Sequence, residues 1–281
     1  MGEPLQYASN EIVEFYATTG VETARLEEPV GWLEKLRTLE LLKRHLPPPP
    51  ALLLDIGGAT GVYARPLAHS GYRVHLIDLV AEHVAAAREV ASQAGKGSPA
   101  GFLQGDALRL SFADGCADAA MLMGPLYHLT ESPERAQALR DAFRCLRPGG
   151  LLCAAAISRF ASLLDGFRAG HVEDEEFLGI LDRDLREGQH RNPTANRGYF
   201  TTAYFHRPEE LRRELTDAGC TNVVVYGVEG PAWIAPRLTD YMSDAVLRDR
   251  TMDLVRRVER EPELIGMSAH LLAFGWKPGR R

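Results

Sequence analysis

The segment of residues 51–78 constrains the fold of this chain more than any other part of the sequence. It begins with four apolar residues, Ala51 to Leu54, that do not alternate with polar ones and run directly into Asp55. Such a pattern is typical of a strand that is covered on both faces of a parallel sheet. A second apolar run, Val74 to Ile77, ends at Asp78 in the same way. The segment therefore predicts two strands of an α/β sheet, each ending in an acid.

Three glycines, Gly57, Gly58 and Gly61, connect the first strand to a helix predicted from about Thr60 to Ser70. Glycine adopts positive φ easily and has no Cβ to keep a ligand away from the backbone. The open N–H groups of the helix start then face whatever lies above the strand end. A tight strand-to-helix corner would use the same glycines. However, an acid such as Asp78, about 20 residues later, is where nucleotide-binding units hold the ribose hydroxyls, and this order favours a nucleoside pocket.

The pattern of the turn distinguishes between nucleosides. The dinucleotide fingerprint is G-x-G-x-x-G, whereas this chain has Asp55-x-Gly57-x-x-x-Gly61. The pattern resembles motif I of the class I S-adenosylmethionine (SAM) dependent methyltransferases, D-x-G-x-G-x-G, with Ala59 in place of the middle glycine. A methyl group there leaves a tight turn feasible, but it affects how closely the backbone approaches the methionine part of the ligand.

Further motifs of that family follow in its order over residues 51–157. They are a Gly-Asp-Ala at 105–107 after the third strand, and a Leu-Arg-Pro-Gly-Gly-Leu-Leu turn at 146–152 before the fifth. The resemblance implies an α/β, Rossmann-like class I methyltransferase sheet of strand order 3-2-1-4-5-7-6 with a helical cap. It also implies SAM as cofactor and S-adenosylhomocysteine (SAH) as product.

The resemblance assigns roles to residues around the cofactor. Asp78 would hold the ribose, Asp106 the exocyclic amine of adenine, and the segment before motif I would fold over the ligand as a lid. In that lid, the resemblance implies hydrogen bonds to the methionine carboxylate from Tyr16, Arg25 and Arg37. The alternative is that Tyr16 is packed in the protein interior and that the two arginines are solvated. The cofactor-binding residues implied in this way are Asp55, Gly57, Gly58, Gly61, Asp78, Leu79, Asp106, Ala107, Met123, Arg25 and Arg37.

The predicted catalytic residues follow the fourth strand and the sixth. Ligands of open α/β sheets sit beyond the carboxyl ends of the strands, so Tyr127 and His128 should stand near the transferable methyl group. Histidine accepts protons readily near neutral pH, although a histidine here can also cap a helix or bond a carbonyl. Glu229 is the second candidate base, and Tyr16 and Tyr127 would orient the acceptor or relay a proton.

Aromatic residues in the predicted cap favour an apolar, ring-bearing acceptor. Each of them can equally be ordinary cap core. The predicted substrate-binding residues are Tyr7, Tyr199, Phe200, Tyr204 and Trp233.

Capped, acidic enzymes of this build resemble bacterial natural-product methyltransferases. Within that group, the chain resembles the indole C3-methyltransferases of tryptophan-containing cyclodipeptides. In those enzymes a base takes the indole proton, C3 attacks the methyl group and an amide nitrogen closes a pyrroloindoline ring. O- or N-methylation of another small metabolite is a close alternative. An RNA methyltransferase and a SAM-binding protein without turnover are the alternatives from other classes.

Helical periodicity and the motifs divide the chain. Residues 1–46 precede the sheet and are predicted to be helical, since Trp32, Leu33 and Leu42 fall on one helical face, and Pro47 to Pro50 end the helix. The predicted parts are an N-terminal helical lid at 1–46, a SAM-binding core at 51–157, a cap insertion at 158–206, and the rest of the core at 207–281 with a helical excursion at 229–262.

Composition restricts the class of protein. A formal net charge of −6 and a pI near 5.9 argue against nucleic acid as the main partner, and the fourth strand ends in Met-Gly-Pro-Leu rather than a base-methylating Asn/Asp-Pro-Pro-Tyr/Phe. No apolar run of membrane-spanning length and no secretory signal is visible, so we expect a cytoplasmic protein.

The four scattered cysteines and the carboxylates show no metal-ligand spacing, so we expect reduced thiols and no metal. A small-molecule substrate is the expected partner, and a homodimer is compatible with the sequence.

Overall fold

The computed structural model describes residues 15–16, 28–93, 97–194 and 196–279. Tyr7 and Arg25, two of the predicted ligand-binding residues, lie outside these ranges. The strands are β1 (Leu52–Ile56), β2 (Arg73–Asp78), β3 (Gly101–Gln104), β4 (Ala117–Leu122), β5 (Leu146–Ser158), β6 (Gln189–His190), β7 (Ala203–His206), β8 (Thr221–Gly227) and β9 (His270–Trp276).

The helices lie between these strands and on both faces of the sheet. None of the helices in the described ranges has the length and apolar character needed to cross a bilayer. They are α1 (Pro29–His45), α2 (Ala64–His69), α3 (Ala81–Gln93), α4 (Pro125–His128), α5 (Ser132–Cys145), α6 (Ala161–Ala169), α7 (Glu175–Glu187), α8 (Pro208–Asp217), α9 (Leu238–Ser243), α10 (Ala245–Val258) and α11 (Pro262–Ile265).

The main sheet has the predicted order. Strands β3, β2, β1, β4 and β5 are parallel neighbours, and β9 pairs antiparallel with both β5 and β8. The order β3-β2-β1-β4-β5-β9-β8 is therefore the family order 3-2-1-4-5-7-6, because β8 and β9 are its sixth and seventh strands. Two additional short strands come between β5 and β8 in the sequence: β7 pairs parallel with the end of β5 at Ile157 and Ser158, and β6 pairs antiparallel with β7.

Alternate residues of the central strands enter two different apolar cores. Leu53 packs in the core that α1 covers with Leu41, whereas Leu54 packs in the core that α5 covers with Leu139. Both strand residues are fully buried. Coverage of both faces explains why β1 reads as an unbroken apolar run rather than as an alternating one.

The structure differs from the predicted helices in three places. The helix after the glycine turn begins at Ala64 rather than near residue 60, because residues 59–63 form turns. The long C-terminal helix is split into α9 and α10 at Asp244, whose side chain caps α10 by accepting from the Leu247 N–H. Trp32 is 37% exposed, under the Arg248 guanidinium, whereas the neighbouring Leu33 is fully buried.

The cap segment has an apolar core and a buried polar network of its own. Phe177 and Leu181 of α7 pack against Tyr199. Asp184, also on α7, accepts hydrogen bonds from the Ser162 hydroxyl at 2.6 Å and pairs with His190 Nδ1 at 2.8 Å. These contacts hold α6, α7 and β6 together.

Arg37 anchors α1 to the C-terminal part of the chain. Its side chain is fully buried, its Nε donates to the Val228 carbonyl at 3.3 Å, and its Nη atoms pair with Glu40 at 2.7 Å and with Glu259. Glu259 also pairs with Arg44. The predicted contact of Arg37 with the cofactor is therefore corrected, because its guanidinium is committed to these partners inside the protein.

Replacing Arg37 by alanine should destabilise the fold strongly. Glu259 would lose a buried partner, and breaking a buried ion pair costs about 3 kcal/mol or more. Chemical denaturation measures the free energy of unfolding. The control is Arg257→Ala, which removes an ion pair whose arginine side chain is 69% exposed and should cost less than about 1 kcal/mol. Equal losses in the two variants would contradict the anchoring role.

Candidate active site

The glycine turn after β1 forms a tight backbone cradle. Gly57 and Gly61 have φ of +75° and +84°, a region that glycine enters at little cost. The N–H groups of Gly57 and Gly58 both donate to the Ile77 carbonyl, at 2.8 and 3.2 Å, which holds the turn against the end of β2. A Cβ at Gly57 would lie 2.6 Å from Pro125 Cδ, so no larger residue fits there.

Asp78 closes the turn from the neighbouring strand. Its Oδ2 accepts from the Ala59 N–H at 2.8 Å and its Oδ1 from the Val80 N–H at 2.9 Å, with His83 Nδ1 at 3.3 Å. Each carboxylate oxygen has two lone pairs, so the carboxylate retains capacity for further donors. The carboxylate thus lies between the glycine turn and the start of α3.

The other predicted cofactor residues lie at the same edge of the sheet. Leu79 follows β2, is 38% exposed, and its carbonyl accepts from Gln104 Nε2 at 3.2 Å. Asp106 follows β3 and caps its own turn, with Oδ1 accepting from the Leu108 N–H at 2.9 Å. Ala107, next to Asp106, and Met123, which follows β4, are both buried.

His128 and Tyr16 are brought together across 112 residues of sequence. The Tyr16 hydroxyl lies 2.9 Å from His128 Nε2, and the two rings meet edge to face with centroids 5.3 Å apart. His128 Nδ1 lies 3.5 Å from the Thr202 carbonyl. Two of the predicted catalytic residues thus form one hydrogen-bonded pair at the end of β4.

Aromatic rings surround this pair. The Tyr127 ring lies 4.7 Å from the His128 ring and the Phe200 ring 6.1 Å from it, while Phe15 packs edge to face on Phe200 at 6.0 Å. Phe200 is therefore the predicted substrate residue that the structure brings to the pair. The face of the sheet above β4 is lined by rings from α4, the cap and the N-terminal segment.

Three of the predicted substrate residues have structural roles instead. Tyr199 is 6% exposed and donates its hydroxyl to Asp174 in the cap core at 2.6 Å. The Arg135 guanidinium lies over the Tyr204 ring, with Arg135 Cζ 3.7 Å from the ring centre. Trp233 is 4% exposed and donates its indole N–H to the Met267 carbonyl at 2.8 Å. The prediction that these three bind the acceptor is corrected, because their surfaces and polar atoms are used in packing.

Glu229 is fully buried and cannot itself be a base in contact with an acceptor. Its carboxylate accepts from the Ser268 hydroxyl at 2.6 Å, from the His270 N–H at 3.0 Å and pairs with His270 Nδ1 at 2.6 Å. This corrects the sequence prediction. His270, by contrast, is among the residues that line a pocket between α1 and the start of β9.

Sequence reasoning missed His270, although one signal pointed to it. Because β9 runs antiparallel, its first residue lies at the edge where the parallel strands end, and His270 pairs with Ile157 near the end of β5. A polar residue that begins the last strand of such a sheet is thus a site candidate in the same way as one that ends a parallel strand.

Comparison with known proteins decides the family. A family model described as a methyltransferase domain matches residues 53–150. A ubiquinone biosynthesis O-methyltransferase from Methylobacterium sp. (strain 4-46) is 30% identical over 199 residues, which cover 69% of this chain and 71% of that protein. The chain belongs to the class I SAM-dependent methyltransferase family. The predicted enzyme class is confirmed, and SAM is the cofactor of this methyltransferase.

Other relatives of this methyltransferase match over smaller parts or share only the fold. The ubiquinone/menaquinone biosynthesis C-methyltransferase UbiE of Roseobacter denitrificans is 34% identical over 109 residues, 38% of this chain and 42% of that relative. The match thus spans less than half of the relative's length. The magnesium protoporphyrin IX methyltransferase from Synechocystis PCC 6803 with bound SAH has a TM-score of 0.60 at 14% identity, covering 95% of this chain and 98% of that one.

Ala59 places a side chain in the middle of the methyltransferase turn. It has a φ of 46°, the left-handed region that L-residues with a Cβ enter at a cost of about 1–2 kcal/mol. Its N–H is nevertheless held by Asp78. The substitution for glycine in motif I is therefore accommodated with the turn intact, at the expense of local backbone strain.

The variant Ala59→Gly should stabilise the methyltransferase by about 0.5–1 kcal/mol. Glycine relieves the strain of the left-handed backbone, and the greater conformational entropy of glycine in the unfolded chain offsets part of this gain. Urea denaturation measures the change. The matched control is Ala85→Gly at an exposed position of α3, which should cost about 1 kcal/mol. A loss of stability in both variants would show that Ala59 is unstrained.

Asp55 lies buried beneath this turn. Both carboxyl oxygens are enclosed with no hydrogen bond of normal geometry from the described residues, and a Cβ at Gly58 would lie 2.8 Å from Oδ2. The pKa of Asp55 is raised from 3.8 to about 7, mainly by burial and also by the nearby Asp78 carboxylate, while the Ala64 N–H opposes the rise. The protonated form of Asp55 is thus favoured inside the protein well above its ordinary range. The prediction that Asp55 contacts the cofactor directly is therefore corrected, because its carboxyl group is buried.

This raised pKa predicts a pH-dependent stability. The folded protein binds a proton at Asp55 that the unfolded chain releases near pH 3.8, so the free energy of unfolding should fall as pH rises from about 4 to about 7. Relative to Asp55→Asn, the wild type should lose up to about 1.4 kcal/mol per pH unit in this window. Denaturation at several pH values measures the difference. Asp114→Asn, at an 80% exposed side chain, is the control and should leave the slope unchanged.

Proposed function

We propose that this methyltransferase transfers the methyl group of SAM to a small aromatic acceptor, with His128 as the base. The observation that carries the proposal is the Tyr16–His128 hydrogen bond of 2.9 Å at the end of β4. The pair is enclosed by the rings of Tyr127 and Phe200. In an open α/β sheet this edge is where ligands bind, so a flat acceptor would stack there within reach of the imidazole.

The cradle of the glycine turn fits the cofactor. Asp78 would accept from the ribose hydroxyls, Leu79 would contact the adenine face and Asp106 with Ala107 its edge. The described N-terminal residues Phe15 and Tyr16 contact His83, His128 and Phe200 through their rings. These contacts support the proposal that the N-terminal segment acts as a lid.

In such a reaction the protein has to align the acceptor and remove its proton. When bound, SAM supplies a methyl group already activated by its sulfonium. Tyr127 and Phe200 would align the acceptor for in-line attack, since alignment is a large part of catalysis in group transfer. The acceptor proton would pass by way of the Tyr16 hydroxyl to His128 Nε2, 2.9 Å away, while His128 Nδ1 faces the Thr202 carbonyl.

The finer proposal is an indole acceptor within a tryptophan-containing cyclodipeptide. C3 of the indole would accept the methyl group that SAM supplies, with SAH as the leaving group. The indole N–H proton would pass to His128. An amide nitrogen then adds to C2, and its proton moves to the indole nitrogen, which gives a pyrroloindoline. The ring cluster around His128 supports a flat acceptor, but O- or N-methylation of another small ring compound would use the same groups.

The names of the relatives favour small acceptors over RNA. Two of them denote C- and O-methylation in ubiquinone biosynthesis, so relatives of this chain act at both kinds of atom. Incubation with labelled SAM and a panel of indole cyclodipeptides, phenols, amines and RNA tests the acceptor. Transfer to RNA would overturn the small-molecule proposal. Tight SAH binding without transfer to any acceptor would identify a SAM-binding protein without turnover.

His128→Ala should lower the rate of methyl transfer by about 10²–10⁴-fold, the contribution of a positioned general base. Tyr16→Phe should lower it less, because the imidazole remains. Calorimetry with SAH should show nearly unchanged affinity in both. The control is His69→Ala at the exposed end of α2, which should leave rate and affinity unchanged. Wild-type rates in His128→Ala would refute the assignment of the base.

A further inference from the structure

The backbone of Phe200 has a conformation that residues with a side chain avoid. Its φ is 69° and its ψ is −173°, a combination that is almost restricted to glycine because a Cβ clashes with the backbone there. The residue is only half-buried, so burial of the ring offsets less of this strain than full burial would. Strained residues persist only where their surroundings hold them, and they are concentrated at functional sites. The strain therefore points to a role of this ring at the acceptor site.

The peptide groups on both sides of Phe200 are held by side-chain hydrogen bonds. The Tyr199 carbonyl, which precedes it, accepts from His190 Nε2 at 2.7 Å. The carbonyl of Phe200 itself accepts from Asn192 Nδ2 at 2.8 Å, and its N–H donates to the Arg197 carbonyl at 3.3 Å. The orientations of these two peptide planes define φ and ψ of Phe200, so both dihedral angles are fixed by neighbours in the cap.

His190 is itself held by the buried polar network of the cap. Its Nδ1 lies 2.8 Å from Asp184 Oδ2, which also accepts from the Ser162 hydroxyl at 2.6 Å. The His190 ring stacks on Phe205, with centroids 4.8 Å apart and an angle of 14° between the planes. His190 is 1% exposed and Asp184 is fully buried. The network thus ends at the Tyr199 carbonyl and supports the strained residue that follows it.

The Phe200 ring lies at the edge of the sheet where methyl transfer is proposed. Its centre is 6.1 Å from that of the His128 ring, with the two planes 30° apart, and Phe15 meets it edge to face at 6.0 Å. Phe200 and Tyr127 both pack against an apolar cluster of β5 and β7 residues. A fixed aromatic ring beside the proposed base offers a stacking surface to a flat acceptor, and a puckered ring gains less from such a surface.

We propose that Phe200 makes the acceptor site selective for planar aromatic rings, and that His190 and Asn192 are positioning residues that act through it. A ring that is fixed before binding loses less conformational freedom when the acceptor stacks on it. This role gives the buried network of the cap a function in recognition. The inference rests on the proposed function, because it assigns the selectivity of the same acceptor site.

The backbone strain is tested without any acceptor. Phe200→Ala removes the ring but keeps a Cβ, whereas Phe200→Gly removes both. In urea denaturation, the unfolding equilibrium constant of the glycine variant should be about threefold smaller than that of the alanine variant, because glycine tolerates this conformation. The matched pair is Phe167→Ala and Phe167→Gly on α6, where the residue is 67% exposed and glycine should raise the constant about fivefold. A glycine variant less stable than the alanine variant at both positions would overturn the proposal.

Selectivity is tested by calorimetric binding to the SAH complex. The probes are a cyclodipeptide that bears a phenyl ring and its analogue that bears a cyclohexyl ring. The wild type should bind the phenyl probe about fivefold more tightly, the contribution of one aromatic pair. In Phe200→Leu and in Asn192→Ala this ratio should fall below about twofold, with unchanged SAH affinity. The control is Gln137→Ala, which removes an amide donor to the Leu108 carbonyl on the exposed face of α5 and should keep the wild-type ratio.

A double-substitution cycle decides whether Asn192 acts through Phe200. Asn192→Ala should lower the affinity for the phenyl probe about fivefold in the wild type but less than about twofold in Phe200→Leu, because the ring that it positions is absent. His190→Phe keeps a ring against Phe205 but has no donor for the Tyr199 carbonyl, and it should behave in the same way where its SAH affinity shows that it is folded. Equal losses from Asn192→Ala in both backgrounds would overturn the positioning role.

The proposed function and the selectivity of Phe200 fail in different ways. If no panel compound is methylated while the wild type still prefers the phenyl probe, only the proposed function is overturned. A wild type that binds the two probes equally, or binds neither, would overturn the selectivity role of Phe200, whether or not it transfers methyl groups.

Discussion

The carboxylate of Asp78 is the contact on which the architecture of the site depends. It lies at the end of β2, yet it accepts the N–H of Ala59 in the turn that follows β1, 19 residues earlier. It also accepts from Val80 at the start of the next helix. One side chain therefore joins two strand ends and sets the spacing of the cradle between them. The positive φ of Gly57, Ala59 and Gly61 is tolerated within this frame.

Two buried acids of this methyltransferase show how environment decides charge. Asp55 has no hydrogen bond of normal geometry among the described residues and a neighbouring carboxylate, so its pKa rises to about 7. Glu229 is equally buried but has donors from Ser268 and His270, so its pKa falls. Burial penalises both charged forms, and the hydrogen-bond donors and neighbouring charges decide the direction of each shift. The first acid is suited to a neutral role beneath the turn, and the second holds the His270 ring in place.

The groups that can meet an acceptor come from distant parts of the chain. Tyr16 comes from the N-terminal segment, His128 from the helix after β4 and Phe200 from the cap. Under the proposed function, the core sheet supplies the cofactor edge and the additions to the sheet supply the acceptor side.

The sequence alone predicted the strands of the sheet, because apolar runs, glycine turns and strand-end acids are local patterns with a regular spacing. Its resemblance to the methyltransferase motifs implied the family and the strand order. His128 was predicted because the end of β4 is a position defined by the topology, and Tyr16 because the resemblance places a lid before motif I. Only the tertiary structure decided that Arg37, Tyr199, Tyr204 and Trp233 are packed against partners, and that Glu229 is buried against His270. Those roles depend on which distant side chain lies within about 3 Å of a polar atom, and burial and hydrogen-bond partners are set by the packing of the whole chain. The spacing of residues along one segment cannot encode that.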